Sequence, residues 1–325
     1  MPRQHPRLAA VATATAALTL LAAAPASAGE PTVSDPRVVA HFDFAAGETP
    51  ENIALEPDGS ADLTFAFAHK VVRVGKDGSG PTDVATLPEV TDPQTPNLGA
   101  AIATGIARAH DGALYVGYAT GTAETGIWRI GPGGGEPEQI AQLPTDTFPN
   151  GLALDEECGT LYVADSARGA VWSVPQEGGE PTVWASGPAL APSPQLPFGA
   201  NGLKLHDGAV WVSNTAEGTL LRIPVEEDRT AGPVETRATG LDGIDDFAFT
   251  GHGDTALAAL NTDSKVELVR PDGTHRTVLT ATDGLDNPTS VAVRAKTVHV
   301  PSAAYFTTPN PDPNLLLARI SKNKS

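Results

Sequence analysis

The chain has 325 residues and a formal net charge of −18 at pH 7, a balance that repels nucleic acid and anionic lipid rather than attracting them. Cys158 is its single cysteine, so neither an intramolecular disulfide nor a thiolate metal cage can form. The 33 glycines and 29 prolines are spread along the chain rather than clustered, the pattern of many short strands joined by tight turns.

Residues 1–28 have the layout of a secretory signal. Arg3 and Arg7 form a basic start, an apolar run covers Leu8 to Ala24, and Ala26, Ser27 and Ala28 offer a small-residue cleavage site. The run is short for a membrane span and has no basic flank after it. No later segment is long and apolar enough to cross a bilayer. Residues 29–325 are therefore expected to form a single secreted domain, monomeric and free of membrane contact.

The alternating stretch Val38 to Phe44 comes first and belongs to no repeat. After it an apolar-Ala-apolar triplet recurs as Ile53-Ala54-Leu55, Ile106-Ala107-Arg108, Leu152-Ala153-Leu154, Leu203-Lys204-Leu205, Phe247-Ala248-Phe249 and Val291-Ala292-Val293. Turn signals such as Asp58-Gly59, Asp111-Gly112 and Asp207-Gly208 follow three of the copies, and alternating strands such as Leu161-Tyr162-Val163-Ala164 come next. Three of the units then close with a strand, a Gly-rich turn and a strand, beginning at Arg73, Arg129 and Ser173, as in Arg73-Val74 through Gly75 and Gly80 into Asp83-Val84-Ala85. The run Gly131 to Gly135 is one of these hairpin turns, since it lacks the Lys-Ser/Thr that a phosphate-binding loop needs.

The residues two places before each triplet are Glu51, Thr104, Asn150, Asn201, Asp245 and Thr289, spaced by 44 to 53 residues. Four strands at that period indicate an all-β, six-bladed β-propeller with four antiparallel strands per blade. The sixth repeat supplies only three strands, so Val38 to Phe44 is expected to close the ring as the outer strand of the last blade, leaving no free sheet edge. An open two-domain β-sandwich is the architectural alternative.

In a propeller the first strand of each blade lines the central channel, so the six marker residues form one ring. Glu51, Asn150, Asn201 and Asp245 carry oxygen donors there: two carboxylates and two amides, which suit a hard divalent cation such as Ca²⁺. Asn150-Gly151 and Asn201-Gly202 also read as turn dipeptides. Neither turn would explain Glu51 in the same register. Thr104 and Thr289 complete the ring and are candidate substrate contacts. Asp165, Asn214 and Asn261, at the ends of second strands, are further candidates for substrate contact, or else turn caps. Asp246 is a candidate to orient a ligand of the ion. No His-Glu-x-x-His or Gly-x-Ser-x-Gly motif occurs.

The six-repeat pattern and the order Glu51, Asn150, Asn201, Asp245 across blades one, three, four and five resemble the superfamily of gluconolactonases, senescence-marker-like proteins, diisopropyl-fluorophosphatase and paraoxonases. The resemblance spans essentially the whole mature chain. It implies a small-molecule substrate, a Ca²⁺-dependent hydrolysis of lactones, esters or phosphotriesters, and Asp245 as nucleophile or general base. Paraoxonases carry a catalytic His in blade two, and the position aligned with it here is Thr104. The rival expectation is a non-catalytic binding propeller with a structural ion.

Overall fold

Alternation and turn chemistry act blade by blade in the computed structural model, which describes residues 30–322. Six antiparallel sheets of four strands each follow one another along the chain. Their innermost strands are Pro50–Leu55, Ile102–Arg108, Pro149–Asp155, Ala200–His206, Ile244–His252 and Ala292–Arg294. Each touches the next, and the sixth returns to the first, so the ring is closed. The hairpin between blade four's first two strands turns on Asp207-Gly208, with φ of +46° and +66°. Left-handed backbone at both central residues is what a two-residue turn needs to match the twist of its strands.

Apolar layers lie between neighbouring blades rather than at one centre. Between blades two and three, Tyr115 and Ile127 pack against Leu161, Val163 and Trp172. Second strands such as Ala61–Phe65 and Leu114–Ala119 are buried along their whole length, because each meets a neighbouring blade on both faces. Leu114–Ala119 accordingly reads as an apolar run, while Ala61–Phe65 still alternates and buries its polar Asp62 and Thr64 in hydrogen bonds. The outermost strand of blade one, Thr82–Thr86, buries only Ala85.

Blade six takes three strands from the end of the chain and its outermost strand from Pro31–His41, with Val33 opposite Ile320 and His41 opposite Asn314. The closing strand thus starts earlier than the alternating stretch suggests and stops at His41. It stops there because the Asp43 carboxylate accepts the N–H groups of Ala45 and Ala46, starting a short 3₁₀ turn over Phe44–Ala46 that leads the chain off the sheet. The expected export segment, residues 1–28, lies outside the described residues. Among the described residues no helix is long and apolar enough to cross a membrane.

Candidate metal centre

In blades one to five the register of the innermost strand slips at the marker residue. The slips fall between Pro50 and Asn52, Ala103 and Ile106, Pro149 and Leu152, Ala200 and Leu203, and Ile244 and Phe247. A bulge re-aims a side chain out of the regular pleat. Glu51, Asn150, Asn201 and Asp245 all line one cavity of about 420 Å³. The dipeptides Asn150-Gly151 and Asn201-Gly202 are therefore strand, not turn. A Cβ on Gly151 would lie 2.4 Å from the Asn201 carbonyl oxygen, and one on Gly202 would lie 2.4 Å from Asp246 Oδ1. Both glycines let adjacent inner strands crowd a narrow axis.

The carbonyl just before each of the four markers accepts a hydroxyl from the preceding blade. Thr104 Oγ1 donates to Pro149 O at 2.8 Å, Ser166 Oγ to Ala200 O at 2.7 Å, Thr215 Oγ1 to Ile244 O at 2.7 Å, and Thr289 Oγ1 to Pro50 O at 2.8 Å. Ser166 and Thr215 have one proton each, and carbonyls can take nothing else. Their oxygens must therefore accept from Asn150 Nδ2 at 3.2 Å and Asn201 Nδ2 at 2.9 Å, which fixes both amide orientations. With the nitrogens engaged, the amide oxygens remain. Asn201 Oδ1 is buried with no hydrogen-bond partner, a condition that costs roughly 1–3 kcal/mol unless a ligand relieves it.

Burial pushes the Glu51 carboxyl up to about 7, opposed by a hydrogen bond from Tyr305 and reinforced by the Asp246 charge. Burial pushes Asp245 well above the usual carboxylate range as well, aided by the charges of Glu51 and Asp246. Asp246 itself is tied down one layer deeper. It accepts from Lys204 Nζ at 2.6 and 2.7 Å, from Ser290 Oγ at 2.7 Å and from Asn52 Nδ2 at 3.1 Å. In that deeper layer Gly105, Gly151 and Gly202 occupy blades two to four, while Asp246, Ser290 and Asn52 fill blades five, six and one.

The cavity floor thus holds two carboxylates, and no Lys, Arg or His is among the described residues that line it. Two such groups without a counterion, beside an unpartnered amide oxygen, fit a hard divalent cation. Among the described residues no three His, Cys, Asp or Glu side chains form a metal-binding cluster. Half of this donor set is amide.

The other candidates separate clearly. Thr104 and Thr289 stay off the cavity and fasten blades together. Asp165 Oδ1 accepts from the N–H groups of Phe148, Ala167 and Arg168, and its Oδ2 accepts from Trp172 Nε1, so it caps a turn. Asn214 donates to the carbonyls of Ala189 and Ala191 and accepts from Glu217 N, pinning a loop. Only Asn261 lines the cavity, with its Nδ2 at 3.3 Å from Asp245 Oδ2. Sequence reasoning missed Tyr305, whose hydroxyl donates to Glu51 Oε2 at 2.5 Å. Burial and the Glu51 charge push that phenol well above its ordinary value, so it stays a donor. It sits in the loop between the second and third strands of blade six, outside any repeat. The one available signal is the aromatic pair Tyr305-Phe306 in an otherwise polar and Pro-rich loop.

No protein-family model and no curated protein matches the chain. Solved structures do match it. A PQQ-bound aldose sugar dehydrogenase from Streptomyces coelicolor superposes with a TM-score of 0.64 at 15% identity, over 90% of this chain and 99% of that one. Regucalcin from Agrobacterium tumefaciens, a calcium-binding protein, gives a TM-score of 0.64 at 16% identity, over 88% and 93%. A protein provisionally called a gluconolactonase gives 0.61 at 16%, over 92% and 94%. At these identities the likeness is one of fold, and the chain shares its propeller architecture with the proteins that the order of marker residues resembles.

Proposed function

We propose that the protein is a secreted, Ca²⁺-dependent hydrolase of lactones, esters or phosphotriesters, with the ion held by Glu51, Asn150, Asn201 and Asp245. The observation that carries this reading is the bare Asn201 Oδ1, set in one cavity with two carboxylates that no side-chain cation neutralises. The shared fold of calcium-binding regucalcin supports the choice of ion. A divalent cation there would supply Lewis-acid polarisation of a carbonyl or phosphoryl oxygen. Four protein oxygens fall short of the roughly six to eight that Ca²⁺ takes, which leaves room for water and a substrate oxygen.

Asp245 is the reacting residue in this reading. It accepts the proton of an attacking water, or attacks the polarised centre itself. Asn261 orients it from one side, and Tyr305 holds Glu51 in place by donating to Oε2. Thr104 already donates to Pro149 O and no histidine is among the described residues that line the cavity, so this reading gives no histidine a role.

The test is a panel of lactones, aryl esters and phosphotriesters, assayed with the Ca²⁺-loaded protein, the chelated protein and Asp245→Asn. Turnover that disappears on chelation and falls at least a hundredfold in Asp245→Asn supports the reading. Turnover that survives both would overturn it. Thermal stabilisation by Ca²⁺ with no substrate consumed would point to a binding propeller with a structural ion.

A further inference from the structure

Five large hydrophobic side chains are exposed among the described residues, and four of them, Phe44, Phe67, Leu98 and Phe306, stand around the mouth of the cavity. The fifth, Val183, lies on an outer strand of blade three. Single exposed hydrophobics are ordinary, but a group converging on one opening is not. The four come from separate places: the turn before blade one, a hairpin of blade one, the loop entering blade two, and the long loop of blade six. Phe306 is the most open, at 65% exposure.

The polar groups of the wall are largely engaged. Asn97 Nδ2 donates to Pro197 O at 2.7 Å, Thr215 bridges Asn201 and Ile244 O, and Asn261 Nδ2 serves Asp245 and the Pro288 carbonyl. What remains for the hydroxyls of a polyol is the Thr262 hydroxyl and the amide oxygens of Asn97 and Asn261, few groups for a ligand with a hydroxyl on most of its carbons. Among the described residues no cationic side chain lines the wall to anchor a carboxylate or phosphate.

We infer that the cavity takes neutral esters or lactones with an apolar body, an aryl or medium-length alkyl group seated against Phe67, Leu98 and Phe306, and that it disfavours sugar lactones. The inference rests on the hydrolase reading for which bond breaks, while the apolar seat is a property of binding alone. In the reaction the acyl C–O bond breaks, the hydroxyl of water joins the acyl carbon, and the remaining proton goes to the departing alkoxide. A volume of about 420 Å³ accommodates such a molecule. Each sugar hydroxyl buried against these rings without a partner weakens binding roughly fivefold or more.

The experiment uses the Ca²⁺-loaded protein and δ-lactones bearing alkyl chains of increasing length, with glucono-δ-lactone as the polyol. Matching lactams, which resist hydrolysis, are titrated by calorimetry in parallel. Both kcat/KM and lactam affinity are expected to rise about two- to fourfold per added methylene until the cavity fills, with gluconolactone below the unsubstituted lactone. The double variant Phe67→Ser/Phe306→Ser flattens both trends, and Val183→Ser keeps them. The Ca²⁺-induced rise in melting temperature reports that each variant is folded.

A lactam series that is flat, or that climbs equally in the double variant, overturns the proposal. So does tighter binding of the polyol. Lactam affinity that climbs while no lactone turns over upholds the apolar seat and overturns the hydrolase reading instead. A flat series combined with binding to phosphatidylcholine vesicles that the double variant loses assigns the mouth to a lipid surface, and overturns the proposal as well.

Discussion

The carboxylates of Asp245 and Asp246 leave the backbone at adjacent positions and end in different surroundings. Asp246 accepts from Lys204, Ser290 and Asn52 at 2.6 to 3.1 Å, whereas Asp245 meets only the neutral amides of Asn201 and Asn261, the latter through Nδ2 at 3.3 Å. The saturated carboxylate anchors the axis of the ring. The other is left to a ligand, and four predictions follow from this contrast and its surroundings.

Removing the Asp245 charge should stabilise the ion-free protein. A buried carboxylate that faces Glu51 without a counterion opposes folding. Asp245→Asn is expected to raise the melting temperature of the chelated protein by a few degrees at pH 8. It should also abolish the increment from Ca²⁺, which for the native protein is about 2.7 kcal/mol at a hundred times Kd. Scanning calorimetry with and without chelator checks both signs.

The two acids also set a pH dependence. Folding raises the Glu51 carboxyl from 4.5 to about 7, so the folded state favours its proton. That contribution is fully present below pH 4.5 and is lost as the pH rises through about 7. Ion-free protein should therefore lose stability across this window, while Ca²⁺, which displaces the proton, should bind more tightly across it. Tyr305→Phe removes the hydrogen bond that opposes the shift, so its Ca²⁺-binding midpoint should move to higher pH. Calcium titrations between pH 5 and pH 8 would read this.

Lys204→Met should be among the more damaging single changes on the axis. It strips Asp246 of its ammonium partner and leaves a charge that is 1% exposed, an outcome that costs about 3–5 kcal/mol. The double variant Lys204→Met/Asp246→Asn should recover much of this loss in urea unfolding. No recovery would mean that the lysine acts through packing alone.

Thr104→Val keeps the shape of the side chain and deletes the hydroxyl that serves Pro149 O. A buried carbonyl left without its donor costs about 1–3 kcal/mol. Stability should fall by that order while Ca²⁺ affinity changes less than threefold, because Thr104 fastens blades and stays off the cavity. A large loss of affinity with unchanged stability would return Thr104 to the binding site.

The blades are legible in the sequence because the apolar triplets recur at blade period and the turns between them carry Asp-Gly or Gly-rich chemistry. The four oxygen-bearing markers are legible as one set because they share a position relative to those triplets. Thr104 and Thr289 share it too, yet their short hydroxyls meet the next blade's carbonyl rather than the axis. Asp165, Asn214 and Asn261 look equivalent at strand ends. Only tertiary contacts separate the turn cap and the loop pin from the residue beside Asp245. Tyr305 and the apolar mouth arise from loops without periodicity, and Lys204 reaches Asp246 from one blade to the next, so no local pattern announces either.

The deeper layer has a consequence for traffic. Glycines crowd one half of it, and the hydrogen-bonded Asn52, Ser290 and Asp246 fill the other, so this layer narrows the axis beneath the cavity. The way in and out then lies past the mouth above. In the proposed reaction a neutral ester passes the apolar rim inward, and the acid it becomes must pass the same apolar rim outward as an anion.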